Sequence, residues 1–151
     1  MNIKLLLRVA DHIDEFPDSF HLETWADRAP DANICDTIGC VAGWVVMIQD
    51  PEVRVALMSD PNFELECFPW EQTAARHLGI SDTEGTVLFT ANRWWAERML
   101  ELGLEPDRGW DEGDEGCWVS LDAVPAKAAS TILRELAAGR ISLNFVWNPD
   151  D

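Results

Sequence analysis

The sequence predicts a mainly α fold: a compact single-domain helical bundle over residues 1–151, built around one buried central helix at about 36–49. Three observations predict it. Apolar residues recur at helical spacing in most segments, the run from Cys40 to Ile48 is apolar on every face, and Pro17, Pro51, Gly79, Gly103 and Gly139 fall where such segments end. Size agrees. A 17.0 kDa chain exposes about 7,700 Å² of the roughly 24,700 Å² of its unfolded form. Such a chain builds a core without a disulfide scaffold or a structural metal. An apolar content of 47% and 8 Trp exclude a disordered chain.

The first element is a helix from Asn2 to Glu15, with Ile3, Leu6, Leu7, Ala10 and Ile13 on one face and Asn2 as its N-cap. Pro17 stops it, because a residue before proline avoids helical geometry. Phe16, Phe20, Leu22 and Trp25 form an apolar connector that folds back over the core, and 26–34 reads as a surface loop. Asp36 or Thr37 then caps the central helix, in which Cys40, Gly43, Trp44 and Met47 share one face and Val41, Val45 and Ile48 another. A helix apolar all round is buried all round. A Gly inside it costs about 1 kcal/mol of propensity, so close packing of a neighbour is expected there.

After Asp50-Pro51 the pattern is ambiguous: Val53, Val55, Leu57, Phe63, Leu65 and Cys67 alternate weakly, and a short helix or a small β-hairpin both fit 51–69. Trp70 to Leu78 reads as a helix ended by Gly79. Ser81-Asp-Thr-Glu84 is a capping box that opens a helix through Phe89. Asn92 to Leu102 is helical and ends at Gly103, and 104–118 is a Gly- and acid-rich loop. Ala123 to Ala138 closes the bundle, with Pro125 in its first turn and Gly139 at its end.

Several segments together resemble a group of small actinobacterial and phage proteins with a Cys-x4-Cys-(Ile/Val)-Ala-Gly-Trp core helix. They are Leu5-Leu-Leu-Arg-Val-Ala-Asp-His-Ile13, Cys35-x4-Cys40-Val-Ala-Gly-Trp44, Ala75-Arg-His-Leu-Gly-Ile-Ser81, Leu88-Phe89 and Leu136-Ala-Ala-Gly139. The resemblance spans about three quarters of the chain, and its motifs are structural. It implies no activity and no catalytic residue. The chain departs from that pattern at 50–69 and at 104–118.

Charge narrows the function classes. Twenty-eight acids against 11 Lys and Arg give −17, about one uncompensated negative charge per 450 Å² of surface. Such a surface repels phosphate, which argues against direct binding to nucleic acid or an anionic membrane. Lys4, Arg8, Asp11, Asp14 and Glu15 interrupt the first 20 residues, so no signal-peptide pattern is present there, and a cytoplasmic location is expected. Cys35, Cys40, Cys67 and Cys117 are then expected as thiols.

Chemical motifs are weak. Cys35-x4-Cys40 lies at the outer limit of zinc-ligand spacing, and no second pair accompanies it. His21-Leu-Glu23 before Cys35 and Cys40 echoes the zinc nucleobase deaminases, but Asn33-Ile34 stands where their proline precedes the first Cys. Asp107, Asp111, Asp114 and Glu115 do not fit an EF-hand frame. No nucleophile elbow, H-E-x-x-H or phosphate loop occurs. No metal and no cofactor are expected. His12 reads as a surface residue among acids, and His77 as a cation placed near a helix C-terminus.

Tryptophan and the acidic loop remain. Trp94 and Trp95 are adjacent on a helix, about 100° apart, so at least one is expected outside or in a groove. With Trp110 they are candidate anchors, since Trp is favoured at interface hot spots. Asp107, Asp111, Glu112, Asp114 and Glu115 are the candidate contacts to a basic partner, opposed locally only by Arg108. The expectation is a non-enzymatic acidic protein that binds a basic surface of another protein, as a phage-encoded inhibitor or nucleic-acid mimic would. Two other classes stay open: a nucleotide-type binder with a Trp-lined groove near Arg93 and Arg98, and a metal-dependent enzyme centred on Cys35 and Cys40.

Overall fold

The computed structural model describes residues 1–22, 27–28, 37–60, 63–64, 67–90, 93–105 and 124–144. Helix α1 is Ile3–Glu15, and a 3-10 turn follows at Pro17–Ser19. Two short strands come next, β1 (Asp27–Arg28) and β2 (Thr37–Ile38), antiparallel with Asp27 opposite Ile38 and Arg28 opposite Thr37. The remaining helices are α2 (Val41–Gln49), α3 (Pro51–Ser59), α4 (Trp70–Leu78), α5 (Asp82–Phe89), α6 (Arg93–Glu101) and α7 (Ala126–Ala137). The mainly α architecture is as the sequence predicts.

Asn2 caps α1 by accepting the Leu5 N–H at 3.1 Å, while its own N–H donates to the Leu78 carbonyl at 2.5 Å. One residue thus starts α1 and fastens it to the end of α4. The buried stripe of α1 is Leu5, Leu6, Val9, Ala10 and Ile13, so the face is turned from the expected one and leaves Ile3 and Leu7 at the surface. Phe20 and Leu22 fold back into the core as expected, held where His21 N–H donates to the Gly39 carbonyl at 3.2 Å and Gly39 N–H to the Ser19 carbonyl at 3.0 Å.

The central helix is shorter than predicted. It begins at Val41 with Cys40 as N-cap, because Thr37 and Ile38 are used in the ladder with β1 rather than in a cap. All residues from Val41 to Met47 are buried. Trp44 is fully buried and its Nε1–H donates to the Ser19 carbonyl at 3.2 Å, which satisfies the one polar atom the indole carries into the core. Around α2 pack α1, α3, α4 and α5, and α7 closes the other side of α1.

Of the two alternatives for 51–69, Pro51–Ser59 takes the helix and no hairpin forms among the described residues of that stretch. Proline suits the first helical position, where its missing N–H costs nothing. Ser81 and Glu84 complete the capping box of α5, Ser81 Oγ accepting the Glu84 N–H at 3.2 Å and Glu84 Oε2 accepting the Ser81 N–H at 2.8 Å. Pro125 is the N-cap of α7 and not part of its first turn; its ψ of 149° is extended. Gly79 and Gly139 end α4 and α7 with φ of +63° and +69°, the left-handed conformation that glycine adopts without a Cβ penalty. One apolar cluster draws buried residues from all seven helices.

Candidate interaction surface

The two tryptophans nominated as outward anchors are inside. Trp94 and Trp95 are 1% and 0% exposed, their rings edge to face at 5.3 Å and 87°. Trp94 Nε1–H donates to the Ser142 carbonyl at 3.0 Å, fixing α6 to the chain after α7, and Trp95 Nε1–H donates to the Leu88 carbonyl at 3.2 Å, fixing α6 to α5. The expectation of a groove lined by this pair is therefore corrected. A buried helical stripe is at least about 100° wide, enough for two consecutive positions to enter the core together, as Trp94, Trp95 and Ala96 do. Trp110, Asp107, Asp111, Glu112, Asp114 and Glu115 lie outside the described residues.

Cys40 is fully buried, and that burial pushes its thiol up to about 11, so it is held protonated at neutral pH. A protonated, inaccessible thiol is a poor metal ligand and a poor nucleophile. Cys35 lies outside the described residues, and among the described residues no group of three His, Cys, Asp or Glu side chains is placed to hold a metal ion.

Five of the ten described Lys and Arg residues form ion pairs within the molecule. Arg93 meets Glu97 at 3.0 Å, Arg98 meets Glu101 at 2.9 Å, and Arg140 is paired with Glu135. Arg134 bridges to Asp11 and to Asp14 at 2.7 Å each, and Lys127 reaches Asp14 at 3.5 Å, so three ion pairs clasp α1 to α7. The Ser130 hydroxyl adds a donation to Asp14 at 2.6 Å. Burial opposes ionisation of Asp14, but Ser130, Arg134 and Lys127 outweigh it and hold the carboxyl below its ordinary value.

His12, read from the sequence as a surface residue, and His77, read as a cation near a helix C-terminus, both have partners far along the chain. His77 Nε2 lies 2.6 Å from Asp50 Oδ2, joining the end of α4 to the α2–α3 junction. His12 is half-buried, with its ring 3.9 Å from the Trp44 ring and 5.0 Å from that of Phe16; Arg54 lies over Trp44 at 5.8 Å. Burial first, and the Arg54 charge second, push His12 down to about 4, so it is neutral at pH 7. Local spacing could have suggested His12–Phe16, four residues apart, but not His77–Asp50 or His12–Trp44, whose members are 27 and 32 residues apart.

The least buried helix is α3. Leu57 alone of its nine residues is buried, while Val55 is 63% and Met58 38% exposed. Glu52, Val55 and Met58 stand three residues apart and so form one outward row. Beyond α3, Phe63 N–H donates to the Asp60 carbonyl at 3.1 Å, and the half-buried Phe63 and Phe68 stack toward Trp70, with centroids 6.0 and 4.5 Å apart. Elsewhere, an open groove of about 330 Å³ runs between Ile80, Leu136, Ile141 and Leu143, with Met1 and Glu84 also lining it.

No described helix is long and apolar enough to cross a membrane. Comparison with protein-family models, with curated proteins and with solved structures gives no match.

Proposed function

We propose that the protein is a non-enzymatic interaction protein whose acidic surface engages a basic face of a partner protein, such as the nucleic-acid-binding face of a regulatory or defence factor. The observation that carries this reading is the charge imbalance, −17 in 151 residues. The pairing of the bases sharpens it. Arg93, Arg98, Lys127, Arg134 and Arg140 are paired with acids of the same chain, which leaves the excess of acid uncompensated. Such a field steers a basic partner into encounter and repels anionic ligands. The crowded acids Asp107, Asp111, Glu112, Asp114 and Glu115, with Trp110 among them, are the contacts we assign to that partner.

The test is kinetic. With a basic partner captured on the immobilised protein at low salt, replacing Asp111, Glu112, Asp114 and Glu115 by Asn and Gln slows association strongly and changes dissociation less. The free variant is as stable as the parent or slightly more so, because like charges are removed. Association that stays unchanged at low ionic strength overturns the assignment of this loop.

A further inference from the structure

We propose that the outward row of α3, Glu52–Val55–Met58, with Phe63 and Phe68 at its C-terminal end, is a docking face for a basic amphipathic segment of a partner protein. The inference rests on the acidic-surface reading for the sign of the partner's charge, and adds an apolar anchor and a place.

Single apolar side chains at a surface need no explanation. This group is different because it is continuous along the chain and sits in an unusually acidic setting. Val55 and Met58 occupy consecutive turns of one helix face, and just beyond α3 the Phe63 N–H donates to the Asp60 carbonyl. Met is the side chain that adapts best to a partner's shape, and aromatic rings supply large contact area with little loss of rotamer freedom. A helix that served only to pack on α2 and β1 would carry polar residues outward. In a chain with 28 acids they are abundant, yet these positions hold Val and Met.

Charge selects the occupant. Residues 50–71 contain Asp50, Glu52, Asp60, Glu64, Glu66 and Glu71 against the single base Arg54. Arg54 leans over the buried Trp44, Asp50 faces His77, and Glu71 accepts from the Thr86 hydroxyl at 2.6 Å. Glu52, one turn before Val55, and Glu64, next to Phe63, are exposed. A second copy of this chain brings the same −17 and is repelled. A purely polar basic segment would satisfy the carboxylates and leave Val55 and Met58 wet. A segment that alternates apolar residues with Lys or Arg satisfies both, as in helix-in-groove recognition.

The experiment uses two labelled peptides of equal length and charge, one amphipathic and built of Leu and Lys, the other built of Ser and Lys, titrated against the full chain at physiological salt by fluorescence anisotropy. The Leu/Lys peptide binds at least about tenfold more tightly, the size expected for one well-buried anchor. The charge-neutral double variant Val55→Asn, Met58→Gln abolishes that difference, while Val55→Ile retains it. Both positions are exposed, so an unchanged melting temperature shows that the fold is intact. Equal binding of the two peptides, or a difference that survives the double variant, overturns the α3 face and leaves the acidic-surface reading standing. Binding of neither peptide overturns both. A dimer in sedimentation that the double variant dissolves assigns the face to self-association and overturns the partner.

Discussion

Trp44 shows how one side chain organises three helices. The indole from α2 meets His12 of α1 on one side and Arg54 of α3 on another, with its N–H on the Ser19 carbonyl. Trp44→Ala therefore costs about 3–5 kcal/mol, the range for a buried aromatic truncation, and a melting temperature equal to that of the parent would remove Trp44 from this role. His12 gives a pH dependence. Its folded value of about 4 lies below the ordinary 6.5, so the unfolded chain takes up a proton that the folded one refuses. Its contribution is whole above pH 6.5 and is lost as pH falls toward 4. Replacing His12 by Phe keeps a ring against Trp44 and removes the titration. Denaturant unfolding of that variant shows a flatter stability profile in the upper part of this window, above the carboxylate range; an unchanged slope contradicts the assignment.

Among elements, the α1–α7 clasp makes the sharpest prediction. Asp14 is held below its ordinary 3.8, so its contribution is present above that value and fades as pH falls through the folded one. Asp14→Asn removes the charge from Arg134 and Lys127 and costs about 1 kcal/mol at neutral pH. The deficit, measured by chemical unfolding, vanishes in strong acid; a deficit that persists there is due to packing and not to charge. Sequence made some elements plain and hid others, for a physical reason. The α1 N-cap, the α5 capping box and the αL glycines are encoded within four residues, and each falls where expected. The start of α2 depended on Thr37 and Ile38 pairing with Arg28 and Asp27, nine and eleven positions away, and the inward turn of both Trp94 and Trp95 on partners at Ser142 and Leu88. Long-range competition decided those, and local pattern carries no trace of it. For the candidate surface, composition gave the sign of the charge, whereas the exposed row on α3 became visible only once Leu57 was seen to be the one residue the helix buries.

For the whole molecule, opposing salt effects can be weighed. Screening weakens surface ion pairs worth at most about 1 kcal/mol each, and it also relieves the mutual repulsion of a −17 chain. Described pairs number only a few against a large excess of acid, so repulsion wins. Raising sodium chloride from about 0.01 M to 0.15 M, where the screening length falls from roughly 30 to 8 Å, raises the melting temperature. A falling melting temperature would mean that the pairs dominate.

The pairing of the first helix with the last has a consequence for biosynthesis. Ser130 and Arg134 meet Asp14 and Asp11 across 116 and 123 residues of chain. During translation, then, α1 emerges amphipathic and must wait until Ser130, 116 positions after Asp14, has been made before its partner leaves the ribosome. At about 5–20 residues per second, that interval lasts many seconds, far longer than a helix takes to form. Nascent chains stalled short of residue 126 lack α7 and leave uncovered the face of α1 that packs on it, though α1 can already meet α2 and α4, so protease resistance of such chains stays below that of the 151-residue chain.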